Sequence, residues 1–250
     1  MIFRSAGHSD VGRVREQNED SYLIREDDGL YVVADGMGGH VGGQMASSLA
    51  VQTVGETVMS QMPEIVAGAA ADPLESSPVP RLLAQAVRVA CSTIYQKAQD
   101  DPELSGMGTT CTAMLVRDGR AFVAHVGDSR CYLQRGDKII QITDDHSLVN
   151  EQIKAGLITR EQARASRLKN IITRSVGFEP DVAVDTFALP VAVGDRMLMC
   201  SDGLANFVDD TEIGLALATL SLQEVPIKMV DLANERGGDD NITVVCVAVE

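Results

Sequence analysis

Four strand-like segments of this sequence carry an aspartate at one end, within two residues of a glycine, in the stretches VVADG, HVGDS, CSDGL and GGDDN. A single aspartate at the end of a strand is usually a turn former. Four in the same setting indicate that several strands deliver their carboxylates to a common rim of a layered sheet structure. The aspartates are Asp35, Asp128, Asp202 and Asp240.

The stretch after Asp35 is rich in glycine, with five glycines among the next eight residues. Glycine in such number costs conformational entropy on folding, which indicates left-handed backbone angles or a close approach to another group. An ordinary strand-to-helix turn accounts equally well for one such stretch taken alone. The recurrence of acids in similar settings favours a site, and Glu19 and Asp20 add two more acids ahead of the short run SYLI.

Acids gathered at one rim predict a metal site. Carboxylates packed together repel one another unless a cation neutralises them. Oxygen ligands favour Mg²⁺ or Mn²⁺, whereas zinc prefers histidine and cysteine. The sequence has four histidines, and none forms an HxxxH or HExxH pair. The resulting hypothesis is a two-metal centre bridged by a carboxylate.

The order of strands and helices predicts a layered α+β fold. Hairpin signals dominate residues 109–142, where apolar runs are separated by the turns RDGR, GDSR and RGDK. Helical spacing of apolar residues marks 46–58 and 83–94, each with one apolar face, and further helices are predicted near 211–220 and 224–235. Hairpins mixed with helices favour this class over a doubly wound parallel sheet.

We interpret residues 1–250 as a single domain that contains two less regular segments. The Ala/Pro/Ser-rich stretch 62–80, between the two long helices, predicts a loop with frayed helix ends. The polar stretch 147–175 predicts an insertion of short helices.

Composition excludes several classes of protein. A net charge of -15 argues against binding to nucleic acid or to an anionic membrane, because clustered Lys and Arg drive such binding. The N-terminus lacks the apolar segment of a signal peptide, and no apolar run approaches the length of a membrane span. The five cysteines are odd in number and include no CxxC pair, which favours reduced thiols. We therefore expect a cytoplasmic protein.

The order of the motifs strongly resembles the metal-dependent protein phosphatases of the protein phosphatase 2C type, in their bacterial serine/threonine branch. The motifs are VREQNED, VVADGMGGH, MGTTCTAML, HVGDSRCYL, TDDHSLV, GLIT, ITRSVG, CSDGL and GGDDNITVV. The resemblance extends from about residue 8 to residue 249. It implies an α-β-β-α sandwich, in which two mainly antiparallel sheets are flanked by helices.

The resemblance also implies how this chain would hold two metal ions. Asp35 would bridge both ions, and the carbonyl of Gly36 would bind one of them. Asp202 and Asp240 would complete the coordination of the first ion. The remaining acids, which would hold metal-bound waters, are Glu19 and Asp20.

Three further features are implied by the same resemblance. Asp128, together with Asp202, would hold a third and weaker metal. Arg15, four residues before Glu19, matches the phosphate-binding arginine, and Arg13 is the nearby alternative. The insertion at 147–175 corresponds to the mobile segment of the family, and we call it the flap.

The implied reaction is removal of phosphate from phosphoserine and phosphothreonine in proteins, opposing a serine/threonine kinase. Two Mn²⁺ or Mg²⁺ ions about 3.5–4 Å apart would activate a bridging hydroxide, which attacks phosphorus in line. No nucleophilic side chain is then required. The expected partners are phosphorylated proteins and a cognate kinase, without nucleic acid or membrane, and we expect a monomer.

Two other functions compete with this interpretation. Cys111, five residues and Arg117 spell the signature of a cysteine-dependent phosphatase, although TAMLV between them is apolar and strand-like and favours a core position for Cys111. A phosphoprotein-binding pseudophosphatase is the non-enzymatic alternative. Loss of metal-binding acids would mark it, but Asp35, Asp202 and Asp240 are all present.

The sequence departs from the family pattern at two places. Ser166, Arg167 and Lys169 stand where many bacterial relatives have a His-Pro-x-Arg run in the flap. Met37 stands where many eukaryotic relatives have a histidine that is a candidate general acid. His40 lies three residues further on, and we expect water rather than His40 to protonate the leaving group.

Overall fold

The apolar runs of the sequence form two antiparallel sheets. The computed structural model describes residues 1–68 and 77–250, apart from the side chains of residues 40, 63–68 and 164. In chain order the strands are β1 (Phe3–Asp10), β2 (Asp20–Arg25), β3 (Leu30–Met37), β4 (Gly108–Thr109), β5 (Cys111–Arg117), β6 (Arg120–Val126), β7 (Arg130–Arg135), β8 (Lys138–Gln141), β9 (Asp185–Pro190), β10 (Arg196–Cys200) and β11 (Ile242–Val249).

The two sheets differ in strand order. One sheet has the order β1-β11-β10-β7-β8, and the other has the order β2-β3-β5-β6-β9, with β4 paired to the end of β3. Neighbouring strands are antiparallel throughout both sheets. The hairpins predicted at RDGR and RGDK are confirmed, because β5 pairs with β6 and β7 pairs with β8. The hairpin predicted at GDSR is wrong, since β6 and β7 lie in different sheets and the chain crosses there from one sheet to the other.

Helices cover the outer face of each sheet. In chain order the helices of the described residues are α1 (His40–Gly68), α2 (Val79–Asp100), α3 (Leu148–Lys154), α4 (Arg160–Arg164), α5 (Asp202–Ala205), α6 (Asp210–Thr219) and α7 (Glu224–Glu235), of which α3 and α4 belong to the flap. The long helices α1 and α2 pack on the sheet that contains β3, and α6 and α7 pack on the sheet that contains β11. None of the helices in the described ranges is both long and apolar enough to cross a membrane.

The alternation of side chains along β3 shows how the layers are built. Leu30, Val32 and Ala34 point toward α1 and α2, whereas Tyr31 and Val33 point into the core between the two sheets. Successive residues of a strand face opposite sides, so a strand covered on both faces must be apolar along its whole length. The predicted α-β-β-α sandwich is confirmed.

Two further predictions about secondary structure were wrong. No strand is predicted for the mostly polar residues 3–10, yet they form β1, which pairs along its length with β11 through the backbone. The loop predicted over 62–80 is also too long, because α1 continues to Gly68 and α2 begins at Val79. Met62 is only 7% exposed and belongs to the core beneath these helices. Residues 69–76 of that prediction lie outside the described residues.

The flap leaves the sandwich between β8 and β9 and contains the short helices α3 and α4. A β-bridge between Ser147 and Ile172 closes its base, and a second bridge joins Thr109 to Val176. Both ends of the flap are thereby fastened to the sandwich, close to the ends of the strands that carry the predicted site.

Candidate active site

The strand ends bring acids from both sheets to one rim. Asp20 and Asp35 lie directly opposite each other on the neighbouring strands β2 and β3. Asp202 follows β10 and opens α5, and Asp240 lies just before β11, which is the neighbour of β10. Each sheet therefore contributes a pair of carboxylates to the same rim.

The carboxylates are close enough to perturb one another. Burial raises the pKa of Asp35 well above its ordinary value, and the charges of Asp20, Asp202, Asp128 and Asp240 raise it further. Like charges in a poorly solvated site disfavour full ionisation unless a cation is added. The electrostatics of the rim therefore suit a cation-binding site.

The pKa values of neighbouring acids show the same influence. Burial raises the pKa of Asp20 to about 7, and Asp202 and Asp240 act in the same direction. Burial likewise raises the pKa of Asp202 to about 6, and the positive charge of Lys169 in the flap partly offsets the repulsion by Asp240.

Three carboxylate oxygens at this rim are buried and have no hydrogen-bond partner among the described residues. They are Asp20 Oδ1, Asp128 Oδ1 and Asp202 Oδ1. An unpartnered buried carboxylate oxygen is costly, and it is also the hard oxygen ligand that Mg²⁺ and Mn²⁺ prefer. The residues present thus fit divalent cations.

The arrangement does not resemble a compact cage for a single ion. Among the described residues, no three His, Cys, Asp or Glu side chains form a ready-made cluster of that kind. Mg²⁺ does not require one, since it is usually bound through one or two carboxylates and keeps several waters. Acids spread along a rim suit several ions with few protein ligands each.

Close packing explains the glycine that follows Asp35. A Cβ at Gly36 would overlap the carbonyl oxygens of Gly43 and Glu19. The Gly36 amide donates to the Glu19 carbonyl over 3.2 Å, and the Thr110 amide donates to the Asp35 carbonyl over 2.8 Å. Of the two explanations open at the sequence level, close approach is the one that applies at Gly36.

The structure separates the two candidate arginines. Arg15 Nη2 donates to Asp240 Oδ2 over 2.9 Å, and its side chain is about half exposed. Partial burial opposes ionisation, but the charges of Asp240, Glu19 and Asp35 raise the pKa of Arg15. Arg13 instead packs against Gly238, to whose carbonyl it donates its backbone amide. The guanidinium at the acidic rim is that of Arg15.

Glu19 and Asp20 point to different neighbours. The carboxylate of Glu19 lies against Gly43 near the start of α1. Asp20 Oδ2 accepts a hydrogen bond of 2.8 Å from the Ser201 hydroxyl, while its other oxygen faces the rim without a partner among the described residues. Asp20 is thus fixed through one oxygen by a residue that directly follows β10 of the other sheet.

Asp128 lies at the end of a cleft between the flap and the sandwich. The cleft has a volume of about 410 Å³ and is lined by Asp128, Asp202, Lys169, Asn150 and Phe207, among others. Burial raises the pKa of Asp128, and Asp202 is the next largest influence. The cleft therefore has two acids of the rim and several residues of the flap among its lining.

Sequence analysis missed the neutral polar residues that orient the acids. Ser201 binds Asp20 and also accepts the Thr243 amide over 2.9 Å. Asn241 Oδ1 accepts the Glu19 amide over 2.8 Å, and its Nδ2 donates to two loop carbonyls near the N-terminus. Asn206 donates to Asp202 over 3.0 Å. The available signal was their position beside the acids, in CSDGL and DDNIT.

Cys111 has no catalytic setting. It is fully buried in β5, and burial raises the pKa of its thiol to about 12. Arg117 lies at the far end of the same strand, roughly 20 Å away at about 3.3 Å per residue, and pairs with Asp118. Residues 111–117 form a strand, so they do not form the phosphate-binding loop that a cysteine-dependent phosphatase needs. The side chain of His40 lies outside the described residues, so its expected lack of a catalytic role stays a prediction.

Comparison with known proteins identifies the class to which this fold and site belong. The family model for protein phosphatase 2C matches residues 7–238. The serine/threonine phosphatase stp of Listeria welshimeri is 37% identical over 243 residues, which are 96% of this chain and 93% of that protein. The chain belongs to the protein phosphatase 2C family, as its motifs indicated.

Solved structures of bacterial phosphatases agree with this assignment. The crystal structure of the Mycobacterium tuberculosis serine/threonine phosphatase PstP/Ppp has a TM-score of 0.88 at 35% identity and covers 100% of both chains. The catalytic domain of PstP in complex with two manganese ions has a TM-score of 0.82 at 35% identity, covering 100% of this chain and 99% of that one.

Proposed function

We propose that this protein is a metal-dependent phosphatase that removes phosphate from phosphoserine and phosphothreonine in other proteins. It uses Mn²⁺ or Mg²⁺, with two core ions and a third, weaker one. The observation that carries the proposal is the rim of mutually repelling carboxylates, where buried oxygens lack partners among the described residues. The related catalytic domain with two manganese ions supports the same conclusion.

The acids of the rim would divide the ions among themselves. Asp35 would bridge the two core ions, the Gly36 carbonyl would bind one of them, and Asp202 and Asp240 would complete the site. Asp128 would hold the third ion together with Asp202. The acids that would orient water around the ions are Glu19 and Asp20.

When bound, the ions supply an activated water as nucleophile and neutralise the charge of the phosphoryl group. Asp20 is in place to orient water around the ions, since Ser201 fixes one of its oxygens and leaves the other without a partner among the described residues. Asn241 and Thr110 fix the backbone beside Glu19 and Asp35, so these acids come from rigid positions. Rigid positioning lowers the reorganisation needed during the reaction.

Arg15 binds the phosphate of the substrate. Its guanidinium donates to Asp240, which holds it at the rim. If Asp240 held a cation, its negative charge would be shared with that ion, and the guanidinium of Arg15 would be free to turn toward a phosphate. The planar fork of arginine matches two phosphate oxygens at once.

The protein substrate reaches the rim through the cleft beneath the flap. The cleft of about 410 Å³ ends at Asp128 and Asp202, and flap residues form one of its walls. We propose a monomeric, cytoplasmic enzyme with a single catalytic domain, which opposes a serine/threonine kinase. The five cysteines are buried free thiols, which fits a reducing compartment.

The test is an assay with an aryl phosphate and a phosphoserine peptide, with Mn²⁺ and with excess chelator. Both substrates should be hydrolysed with Mn²⁺, and chelator should abolish hydrolysis. Cys111→Ser, a matched change in the core, should retain activity. Full activity in chelator combined with loss in Cys111→Ser would instead support a cysteine enzyme. Phosphopeptide binding without any hydrolysis would support the pseudophosphatase.

A further inference from the structure

His146 connects the loop that carries Asp128 to the flap. It lies immediately before the flap and is only 5% exposed. Its backbone amide donates to the Gly127 carbonyl over 2.7 Å, and its carbonyl accepts the amide of Thr173, near the other end of the flap, over 2.8 Å. The backbone of His146 thus touches the turn before Asp128 and both ends of the flap.

The hydrogen bonds of the imidazole determine its tautomer. The Gly127 amide lies 3.0 Å from His146 Nδ1 and has only a proton to offer, so Nδ1 accepts. The proton of the neutral ring therefore lies on Nε2, which donates to Asp185 Oδ2 over 3.2 Å. Burial lowers the pKa of His146, which favours this neutral form.

The contacts continue from Asp185 to the end of the flap. Arg174 Nη1 donates to Asp185 Oδ1 over 2.7 Å and to the Ala183 carbonyl over 3.2 Å. A continuous chain of hydrogen bonds therefore runs from Gly127 through His146 and Asp185 to Arg174. One end of this chain is the turn before Asp128, and the other is the return of the flap to the sandwich.

The turn at Gly127, which His146 holds by a hydrogen bond, has little conformational freedom. Its φ of +112° lies in a region that favours glycine, and the Thr110 side chain packs closely against its Cα. The His125 ring packs beside the His146 ring, with their centroids 4.8 Å apart, and this contact restricts the orientation of the His146 ring. The bond from the Gly127 amide to Nδ1 therefore helps to set where the next residue directs its carboxylate.

We propose that His146 is a positioning residue, which holds Asp128 in place for the third cation and couples that site to the flap. The inference rests on the proposed function, because that function makes Asp128 a metal ligand. His146 is not one of the proposed metal ligands, and its side chain acts through Gly127 on one side and Asp185 on the other. Groups that orient ligands in this way change metal affinity by about 10–100-fold when removed.

Two substitutions of His146 each remove one of the two hydrogen bonds that its ring makes and keep the other. His146→Asn places an oxygen near the position of Nδ1 and keeps the acceptor for Gly127, but it is too short to reach Asp185. His146→Gln places a donor near the position of Nε2 and keeps the bond to Asp185, but it removes the acceptor. Both are neutral amides, so each is the control for the other, and their melting temperatures check that both fold.

The measurements are Mn²⁺ titration calorimetry and hydrogen exchange of the Gly127 amide by NMR. We expect His146→Gln to speed exchange at Gly127 and to weaken the weakest Mn²⁺ site at least about tenfold, with the two tighter sites unchanged. His146→Asn should retain both properties and should instead speed amide exchange at Thr173. Equal effects of the two variants, or an unchanged weak site in His146→Gln, would overturn the inference.

The two proposals fail in different ways. Wild-type protein that binds no Mn²⁺ would contradict the proposed function. Exchange at Gly127 in metal-free protein does not depend on that function, and equal exchange in the two variants would contradict the role of His146.

Discussion

Asp35 lies at the centre of the proposed metal site, where burial and neighbouring acids disfavour its negative charge. Burial and the charges of its neighbours raise its pKa, so its carboxylate destabilises the metal-free protein near neutral pH. Sites of this kind are held in place by the stability of the remaining structure, and replacing their charged groups often stabilises the protein at the expense of activity.

Asp35→Asn should therefore have opposite effects on stability and activity. Removing the charge relieves the repulsion, so we expect unfolding in chelator to require roughly 0.5–2 kcal/mol more free energy than in wild type. With Mn²⁺ the variant should be inactive, because the bridging carboxylate is lost. Chemical denaturation in chelator and an aryl phosphate assay in Mn²⁺ measure the two effects. A variant that is less stable than wild type in chelator would contradict this description of the rim.

The two arginines near the N-terminus give a matched pair. Arg15→Ala should lower kcat/KM by roughly 10- to 100-fold, mainly by raising KM, since a charged hydrogen bond is worth about 1.5–3 kcal/mol. Arg13→Ala should have little effect, because Arg13 packs against Gly238 and it is Arg15 that donates to Asp240. Steady-state kinetics on a phosphoserine peptide distinguish them. The reverse ranking would show that the phosphate-binding position was assigned to the wrong arginine.

Sequence analysis located the acids better than the residues that support them. An acid beside a glycine at a strand end is a local pattern, so Asp35, Asp128 and Asp202 are visible in short windows. The role of Ser201 or His146 depends on partners far away in sequence, such as Asp20 and Asp185. Such contacts follow from the tertiary fold and leave no local periodic signal.

At the scale of elements, buried strands were predictable and the polar strand was not. The eight residues of β11 are all buried, which produces a continuous apolar run. β1 is an edge strand whose residues are mostly half-buried, and backbone hydrogen bonds to β11 hold it. Backbone pairing does not require a particular side chain, so a polar edge strand gives little signal in its sequence.

The flap is the element that should determine the choice of protein substrate. Replacing residues 148–171 with the corresponding segment of a relative leaves His146 and the bridge between Ser147 and Ile172 in place. We expect altered kcat/KM among phosphoproteins, because the flap forms one wall of the cleft. The kcat for a small aryl phosphate should stay unchanged, since the acids come from the sandwich. Equal loss on both types of substrate would show that the flap is needed for the chemistry itself.

The whole molecule is a four-layer sandwich whose interior contains a buried pair of histidines. His125 is fully buried and donates from Nε2 to the Asp144 carbonyl over 3.2 Å, while Nδ1 accepts from the Thr112 hydroxyl over 2.9 Å. Burial lowers its pKa from 6.5 to about 3. Between these values the unfolded chain binds a proton that the folded protein excludes, so stability falls as pH falls.

This effect should be visible as a stability difference that depends on pH. His125→Gln removes the titrating group and also the ring that packs beside His146, and this lost packing should make the variant less stable than wild type above pH 6.5. Below that pH wild type should lose up to about 1.4 kcal/mol per pH unit relative to the variant. Urea unfolding of both proteins at several pH values measures the difference in unfolding free energy. The contributions of acids that both proteins contain cancel in this difference. A difference that stays constant with pH would contradict a neutral, buried His125.

At this scale, the order of motifs predicted more than any pattern of hydrophobicity did. The ordered motifs span most of the chain, and their resemblance to a known family predicted the sandwich, the family and the gathering of the acids at one rim. The loop predicted over 62–80 is too long because its prolines were taken as a break, whereas α1 continues through Pro63 to Gly68. The burial of Met62 shows that tertiary packing outweighed local helix preference there.

The most direct test of the central claim is an anomalous diffraction map from crystals of this protein grown with Mn²⁺. The account predicts two strong peaks about 3.5–4 Å apart at the rim, with the carboxylate of Asp35 between them and Asp202 and Asp240 beside one of them. A map without peaks at this rim, or with a single ion that Asp35 does not touch, would contradict the two-metal site.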